Sequence, residues 1–66
     1  MTIGEKIKQM REERDLTQRE LAAAVLVTNP TISNIESGKK LPSAALVISL
    51  SNFFGCTTDE ILKNKQ

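Results

Sequence analysis

The chain has 66 residues, which is enough for one small domain. A chain of about 60 residues buries only about 60% of the surface that it exposes when unfolded, so the core must be compact. It is 39% hydrophobic and 26% charged, and no apolar run approaches the roughly 20 residues of a membrane span. Histidine is absent and Cys56 is the only cysteine, which excludes an internal disulfide and removes the commonest general base and metal ligand. We therefore expect no enzyme, no metal, no cofactor and a cytoplasmic location. The net charge of +1 gives no support by itself to a nucleic-acid partner.

Three Thr-to-Glu spacings of three residues mark helix starts. In such a capping box the Thr hydroxyl accepts from the amide at the third helical position, and the Glu side chain reaches back to the capping amide. The pairs are Thr2/Glu5, Thr17/Glu20 and Thr57/Glu60. The first predicts a helix over residues 3–14 with an apolar inner stripe, and the second predicts a short helix over residues 18–25.

The rest of the chain is divided by further cap signals. Thr28 is an N-cap candidate for a third helix over residues 29–37, which Gly38 ends. Ser43 begins a fourth helix that runs to Phe54, and a short fifth helix follows Thr57. The prediction is an all-α fold of five short helices, with one domain over residues 1–66 and a polar tail at 63–66.

The second and third predicted helices lie about three residues apart and both have apolar inner faces. A pair of this kind crosses at a steep angle, and its second helix can enter the major groove of DNA. The pattern predicts a helix-turn-helix at about residues 17–38. On the pattern alone, a purely structural helical hairpin explains it equally well.

Several short motifs add to this pattern. They are Leu16-Thr17-Gln18-Arg19-Glu20-Leu21-Ala22, Val27-Thr28, Thr31-Ile32-Ser33, Ile35-Glu36, Gly38-Lys39, Pro42-Ser43 and Gly55-Cys56-Thr57-Thr58-Asp59-Glu60-Ile61-Leu62. Together they closely resemble the phage-repressor/Cro-like helix-turn-helix family over nearly the whole chain. The resemblance implies a compact lambda-repressor-like domain that binds double-stranded DNA.

The chain departs from the family pattern in three respects. At Leu26 the family usually has a Gly in the turn, so either the turn changes or Leu26 takes a left-handed backbone. Pro30 replaces an often polar residue, and Leu46 and Phe53 are more apolar than usual.

The resemblance places the base-reading positions at Asn29, Pro30 and Asn34. An Asn amide can bond adenine N6 and N7 together, and a Pro ring can touch a thymine methyl. Asn29 has an alternative role as a second capping residue, and Pro30 as a residue that pre-organises the first turn. Asn34 has no capping role and poor helix propensity, so it is the preferred base reader.

Five residues are assigned to the DNA backbone: Gln18, Thr28, Ser37, Lys39 and Lys40. The alternative for Gln18 is a solvated surface residue, and loop lysines are often merely solvated. The resemblance also implies a structural ion pair between Arg11 and Glu36 that orients the third helix. Cys56 falls at a small apolar position, which favours a core residue over a reactive thiol.

The fourth predicted helix carries more apolar residues than one core-facing stripe needs. We therefore expect a homodimer whose interface is formed by Leu46, Phe53, Ile61 and Leu62, although Phe53 alone would be an ordinary exposed aromatic. The predicted function is sequence-specific DNA binding by a bacterial or phage transcriptional regulator, a repressor acting as a dimer on a pseudo-palindromic operator. The alternative is a protein-interaction module, such as an antitoxin-like chain whose DNA binding is secondary.

Overall fold

Five helices make up the computed structural model, which describes residues 1–63. They are α1 (Ile3–Glu13), α2 (Gln18–Ala24), α3 (Asn29–Glu36), α4 (Ala44–Phe54) and α5 (Thr58–Leu62). No strand occurs within the described residues, which confirms the all-α prediction. Residues 64–66 of the predicted polar tail lie outside the described residues.

Every helix begins at a hydroxyl side chain. The three predicted capping boxes are all formed, with each Glu side chain accepting from the amide of its Thr at 2.8 or 2.9 Å. Thr28 and Ser43 cap α3 and α4 in the same way through their hydroxyl oxygens. The first three helices end one residue earlier than predicted, because the last predicted residue of each is the C-cap.

The core lies where α1 packs on α3 and α5, α2 packs on α3, and α4 packs on α5. Its fully buried large side chains come from all five helices: Ile7, Leu21, Ile32, Ile35, Leu50 and Ile61. Because the helices are short and connected by tight turns, a single apolar centre serves the whole domain.

The predicted dimer interface is wrong at two of its four residues. Leu46 is 7% exposed and Ile61 is fully buried, so both belong to the core of one chain. The physical reason is that this small domain buries a wider arc of α4 than a single stripe, since both Leu46 and Val47 point inward. Phe53 and Leu62 remain exposed, but they line two separate grooves on the surface.

Two contacts that join distant parts of the chain were not foreseen. Gly4 is buried where α1 meets the end of α3, and a Cβ at this position would overlap the carbonyl oxygen of Ile35. Arg14 donates from Nη2 to the carbonyl oxygen of Phe54 at 3.0 Å and stacks 4.7 Å over its ring. These contacts hold α1 against α3 and against the end of α4.

Candidate nucleic-acid interface

The turn between α2 and α3 keeps a tight geometry despite its leucine. Leu26 has a φ of 61°, and the next amide, that of Val27, donates to the carbonyl oxygen of Ala22 at 2.9 Å. Of the two possibilities left open by the sequence, the turn is therefore retained and the leucine takes the left-handed backbone. Its side chain is 91% exposed, so no burial in the domain offsets this strain.

The outer face of α3 carries the predicted base readers. Ile32 and Ile35 point into the core, whereas Asn29 and Pro30 are exposed and Asn34 is half-buried. Pro30 lies in the first helical turn, where its missing amide hydrogen costs little.

The N-cap of α3 is Thr28, whose hydroxyl accepts from the amide of Thr31 at 3.3 Å and lies 2.8 Å from the Thr31 hydroxyl. The cap therefore does not need the side chain of Asn29. Thr28 is exposed at this end of the helix, and its assignment to the DNA backbone stays a prediction.

A buried ionic network holds α3 in place. Arg11 Nε donates to Glu36 Oε2 at 2.8 Å, and Arg11 Nη2 donates to Glu36 Oε1 at 3.0 Å. Arg11 Nη1 also donates to the carbonyl oxygen of Leu16, just before α2. Both side chains of the pair are at least nine-tenths buried, and the hydrogen bonds to Glu36 raise the pKa of Arg11 against the opposing effect of its desolvation. The structure therefore contains the ion pair that the resemblance implied.

Gln18 belongs to the same network. Its Nε2 donates to Glu36 Oε1 at 3.1 Å, and the residue is half-buried at the start of α2. This contact was missed because nothing local in the sequence connects Gln18 with a residue 18 positions later. The side chain is held by Glu36 rather than free in solvent, and its contact with a DNA phosphate stays a prediction.

The loop after α3 is folded back on the end of that helix. The carbonyl oxygen of Asn34 accepts from Ser37 Oγ at 3.1 Å, from the Lys39 amide at 2.9 Å and from the Lys40 amide at 3.2 Å. Gly38 permits this with a φ of 87°. The three bonds fix two exposed lysines beside the outer face of α3. They use the backbone of Asn34, and among residues 1–63 its side-chain amide makes no hydrogen bond.

The stretch of chain from the end of α2 to the start of α5 contains few charges. Between Leu21 and Thr58 the sequence contains one acidic residue, Glu36, whose carboxylate is paired with Arg11. Lys39 and Lys40 are exposed in the same stretch. The overall charge of +1 therefore includes a stretch, from α3 to the end of α4, whose two unpaired charges are both positive.

Little in the described residues favours another kind of site. Cys56 is half-buried against the core, and burial raises the pKa of its thiol. No cluster of metal-ligating side chains occurs within residues 1–63, and no helix there is long and apolar enough to cross a membrane.

Known proteins are similar to this chain in sequence and in fold. The helix-turn-helix family matches residues 7–61. The chain is 38% identical over all its 66 residues to the HTH-type transcriptional activator BcrR of Enterococcus faecalis, of which it covers 32%. It is 39% identical over 56 residues to an uncharacterized HTH-type transcriptional regulator of Methanocaldococcus jannaschii, with 85% of each chain covered.

Among solved structures, the P22 c2 repressor in complex with a synthetic operator superimposes with a TM-score of 0.91 at 29% identity, covering 98% of both chains. This confirms the predicted five-helix repressor fold. The chain spans about a third to a half of the length of three curated relatives, at 32%, 49% and 49%. Family match, relatives and fold agree, and the chain belongs to the helix-turn-helix family, in the phage-repressor-like form that its motifs resemble.

Proposed function

We propose that this chain binds double-stranded DNA sequence-specifically through α3 and regulates transcription as a repressor. The proposal rests above all on one observation. The outer face of α3 presents uncharged side chains suited to base edges, its orientation is fixed by the Arg11–Glu36 pair, and two exposed lysines follow it. The proposed compartment is the cytoplasm, because a bacterial or phage regulator meets its DNA there.

The geometry of α3 fits direct readout of the major groove. An α-helix fits the width of that groove, and the side-chain amides of Asn29 and Asn34 can each pair with an adenine. The apolar ring of Pro30 suits a thymine methyl group. Lys39 and Lys40 would contact phosphates, which position the domain without reading sequence. The buried pair limits how far α3 can tilt, so these contacts are pre-organised.

The comparisons support DNA binding more directly than they support repression. The P22 c2 protein is a repressor seen on an operator, whereas the Enterococcus protein is an activator. Repression is proposed because the repressor shares the fold over almost its whole described length. A reporter gene with the selected site placed across its promoter tests this: expression should fall when the chain is produced, and a rise would show activation.

Selection of bound sequences from a random DNA pool tests the binding itself. We expect enrichment of one inverted repeat, with half-site centres about 34 Å apart, as two copies on one face of DNA require. The matched variant is Asn29→Ala/Asn34→Ala, which removes two proposed base readers without touching the core. If this variant enriches the same repeat, α3 is not the reading helix. If the wild type enriches nothing, the protein-interaction module is the better description.

A further inference from the structure

The outer face of α3, over residues 29–36, carries no charged side chain. The residues of the helix that are not buried are Asn29, Pro30, Thr31, Ser33 and Asn34. The one ionisable residue of the helix is Glu36, which is 7% exposed and paired with Arg11. A helix of this kind in the major groove therefore meets the bases with amides, hydroxyls and one apolar ring.

Guanine needs a kind of side chain that α3 lacks. In the major groove guanine presents two acceptors, N7 and O6, and the side chains that commonly bond both are Arg and Lys. Lys39 and Lys40 come after the end of α3, and their amides are held back on the carbonyl oxygen of Asn34. Base contacts in a helix-turn-helix come mainly from the N-terminal part of the recognition helix, so these lysines adjoin the end that is farther from the base edges.

The hydroxyl groups near this face are largely used within the domain. The Thr28 and Thr31 hydroxyls lie 2.8 Å apart and share one hydrogen bond. Ser37 Oγ donates to the carbonyl oxygen of Asn34 at 3.1 Å. A hydroxyl such as that of Ser33 can bond either purine, so it does not select between adenine and guanine. The choice of base is therefore left to the two amides and to the proline ring.

Both amides suit adenine better than guanine. Adenine presents an acceptor at N7 and a donor at N6, and one Asn amide can bond both at once. Asn29 is exposed and Asn34 half-buried, and among residues 1–63 neither side-chain amide makes a hydrogen bond, so its donor and acceptor are both available. Against guanine the amide could only donate, and its own oxygen would face the O6 acceptor without a partner, which costs free energy.

Pro30 adds a preference for thymine. Its exposed ring has no donor or acceptor, so the feature of the groove that it can contact favourably is the thymine methyl, which cytosine lacks. Pro30 and Asn34 lie on one side of α3, about 6 Å apart along the helix axis. This distance is close to two base-pair steps of about 3.4 Å each, so the two residues reach bases in one short run.

We propose that the half-site beneath α3 is a run of A·T base pairs read in the major groove, and that the chain rejects G·C pairs there. This inference rests on the proposed function and deepens it, because it names the class of DNA sequence that α3 recognises. The uncharged outer face over residues 29–36 carries it, since every side chain there that selects a base selects adenine or thymine. Selection by neutral groups releases no additional counterions, so the preference for A·T over G·C should be equal at about 50 and about 200 mM salt.

Base analogues that exchange the two grooves give the direct test. An inosine·cytosine pair has the major groove of G·C without its minor-groove amine, whereas a diaminopurine·thymine pair has the major groove of A·T and carries that amine. Each analogue is placed in the sequence selected from a random pool, at positions whose preference relaxes in Asn29→Ala, Pro30→Ser or Asn34→Ala.

The two analogues should have opposite effects. Diaminopurine in place of adenine should leave affinity within about twofold, and inosine·cytosine in place of A·T should lower it about 5- to 150-fold, the usual range for a bidentate base contact. The reverse order would mean that the preference for A·T comes from the shape of the minor groove, and it would overturn the proposal.

Single-atom changes in the DNA assign each contact to its residue. Replacing the read adenine by 7-deazaadenine removes the N7 acceptor, and this should weaken the wild type about fivefold or more while leaving Asn34→Ala unaffected. Replacing the read thymine by deoxyuridine removes the methyl group, and this should weaken the wild type but not Pro30→Ser. Asn52→Ala, on an exposed position of α4, is the matched control and should stay sensitive to both changes. If the α3 variants stay as sensitive as this control, α3 does not read these bases.

The outcomes separate this inference from the proposed function. If the selected half-site has G·C pairs at the positions that α3 reads, DNA recognition stands and the A·T assignment is wrong. If the preference for A·T falls as salt rises, a cation takes part in reading the bases and the neutral face is not the reader. If no sequence is enriched at all, the proposed function fails, and this inference fails with it.

Discussion

At the scale of single residues, Leu26 is the clearest case of strain in the domain. The left-handed backbone conformation of Leu26 costs about 1 kcal/mol or more of folding free energy. Burial of the side chain does not offset this cost, because the side chain is 91% exposed. Leu26→Asn should therefore raise the free energy of unfolding by up to about 1 kcal/mol, because Asn tolerates this conformation. Urea denaturation measures the change. Leu41→Asn, at an exposed leucine outside the left-handed region, should leave stability within about 0.5 kcal/mol. A loss of stability in Leu26→Asn would contradict the assignment of strain.

Gly4 is a position at which only a residue without a side chain fits. A Cβ there would meet the backbone carbonyl of Ile35, which cannot move without shifting α3. Gly4→Ala should lower the free energy of unfolding by about 3 kcal/mol or more, as overpacking against backbone does. The control Lys8→Ala changes an exposed position on the same helix. If both variants unfold at the same urea concentration, the approach of α1 to α3 is looser than described.

Asn34 carries the most specific prediction for recognition. Its side-chain amide is not used within the described residues, and we expect Asn34→Ala to lose about 1–3 kcal/mol of binding free energy on the selected sequence. The loss should relax preference at one base pair in each half-site, as measured by competition with single-base variants. Asn52→Ala removes an exposed Asn from α4 and serves as the control. Equal weakening of Asn34→Ala on selected and random DNA would show a backbone contact instead.

At the scale of elements, the position of α3 depends on one buried carboxylate. Glu36 accepts from Arg11 and from Gln18, so it joins α1, α2 and α3 at a single point. Glu36→Ala would leave the Arg11 guanidinium buried without its partner, which typically costs about 3–5 kcal/mol. Since a small domain has only about 5 kcal/mol or somewhat more to lose, we expect a largely unfolded variant by circular dichroism.

The control for Glu36 is Glu12, which lies 4.0 Å from the same arginine but is 58% exposed at its side chain. Glu12→Ala should cost less than about 1 kcal/mol, as exposed pairs do. A destabilisation of Glu36→Ala in that same range would mean that water reaches the network.

The helix boundaries were predictable because their causes are local. A capping Thr and its Glu lie three residues apart, so the sequence itself shows the motif, and all three boxes formed. The burial of Leu46 and Ile61 was not predictable, because it depends on how α4 and α5 pack together. The contacts of Gly4, Arg14 and Gln18 join positions far apart in the chain, and no periodicity signals them.

At the scale of the whole molecule, the distribution of charge matters more than its total. The domain is nearly neutral, yet Glu36 is the one acidic residue between Leu21 and Thr58, and it is neutralised. Association with DNA should therefore be driven by a small, localised group of cations. This predicts a shallow dependence on salt, because each neutralised phosphate contributes about 0.9 to the slope of log affinity against log salt concentration.

Lys39 and Lys40 allow this to be measured. Their joint replacement by Ala should weaken binding to selected and random DNA alike, and should lower the slope by about 1.8, that is, about 0.9 for each lysine. Gln18→Ala should weaken binding without changing the slope, because a neutral amide releases no counterion. Lys8→Ala, on an exposed position of α1, is the control that removes one positive charge from a different element, and it should leave the slope unchanged. An unchanged slope in the double lysine variant would place the loop after α3 away from the DNA. A lower slope in the Lys8→Ala control would mean that α1 also contacts the DNA.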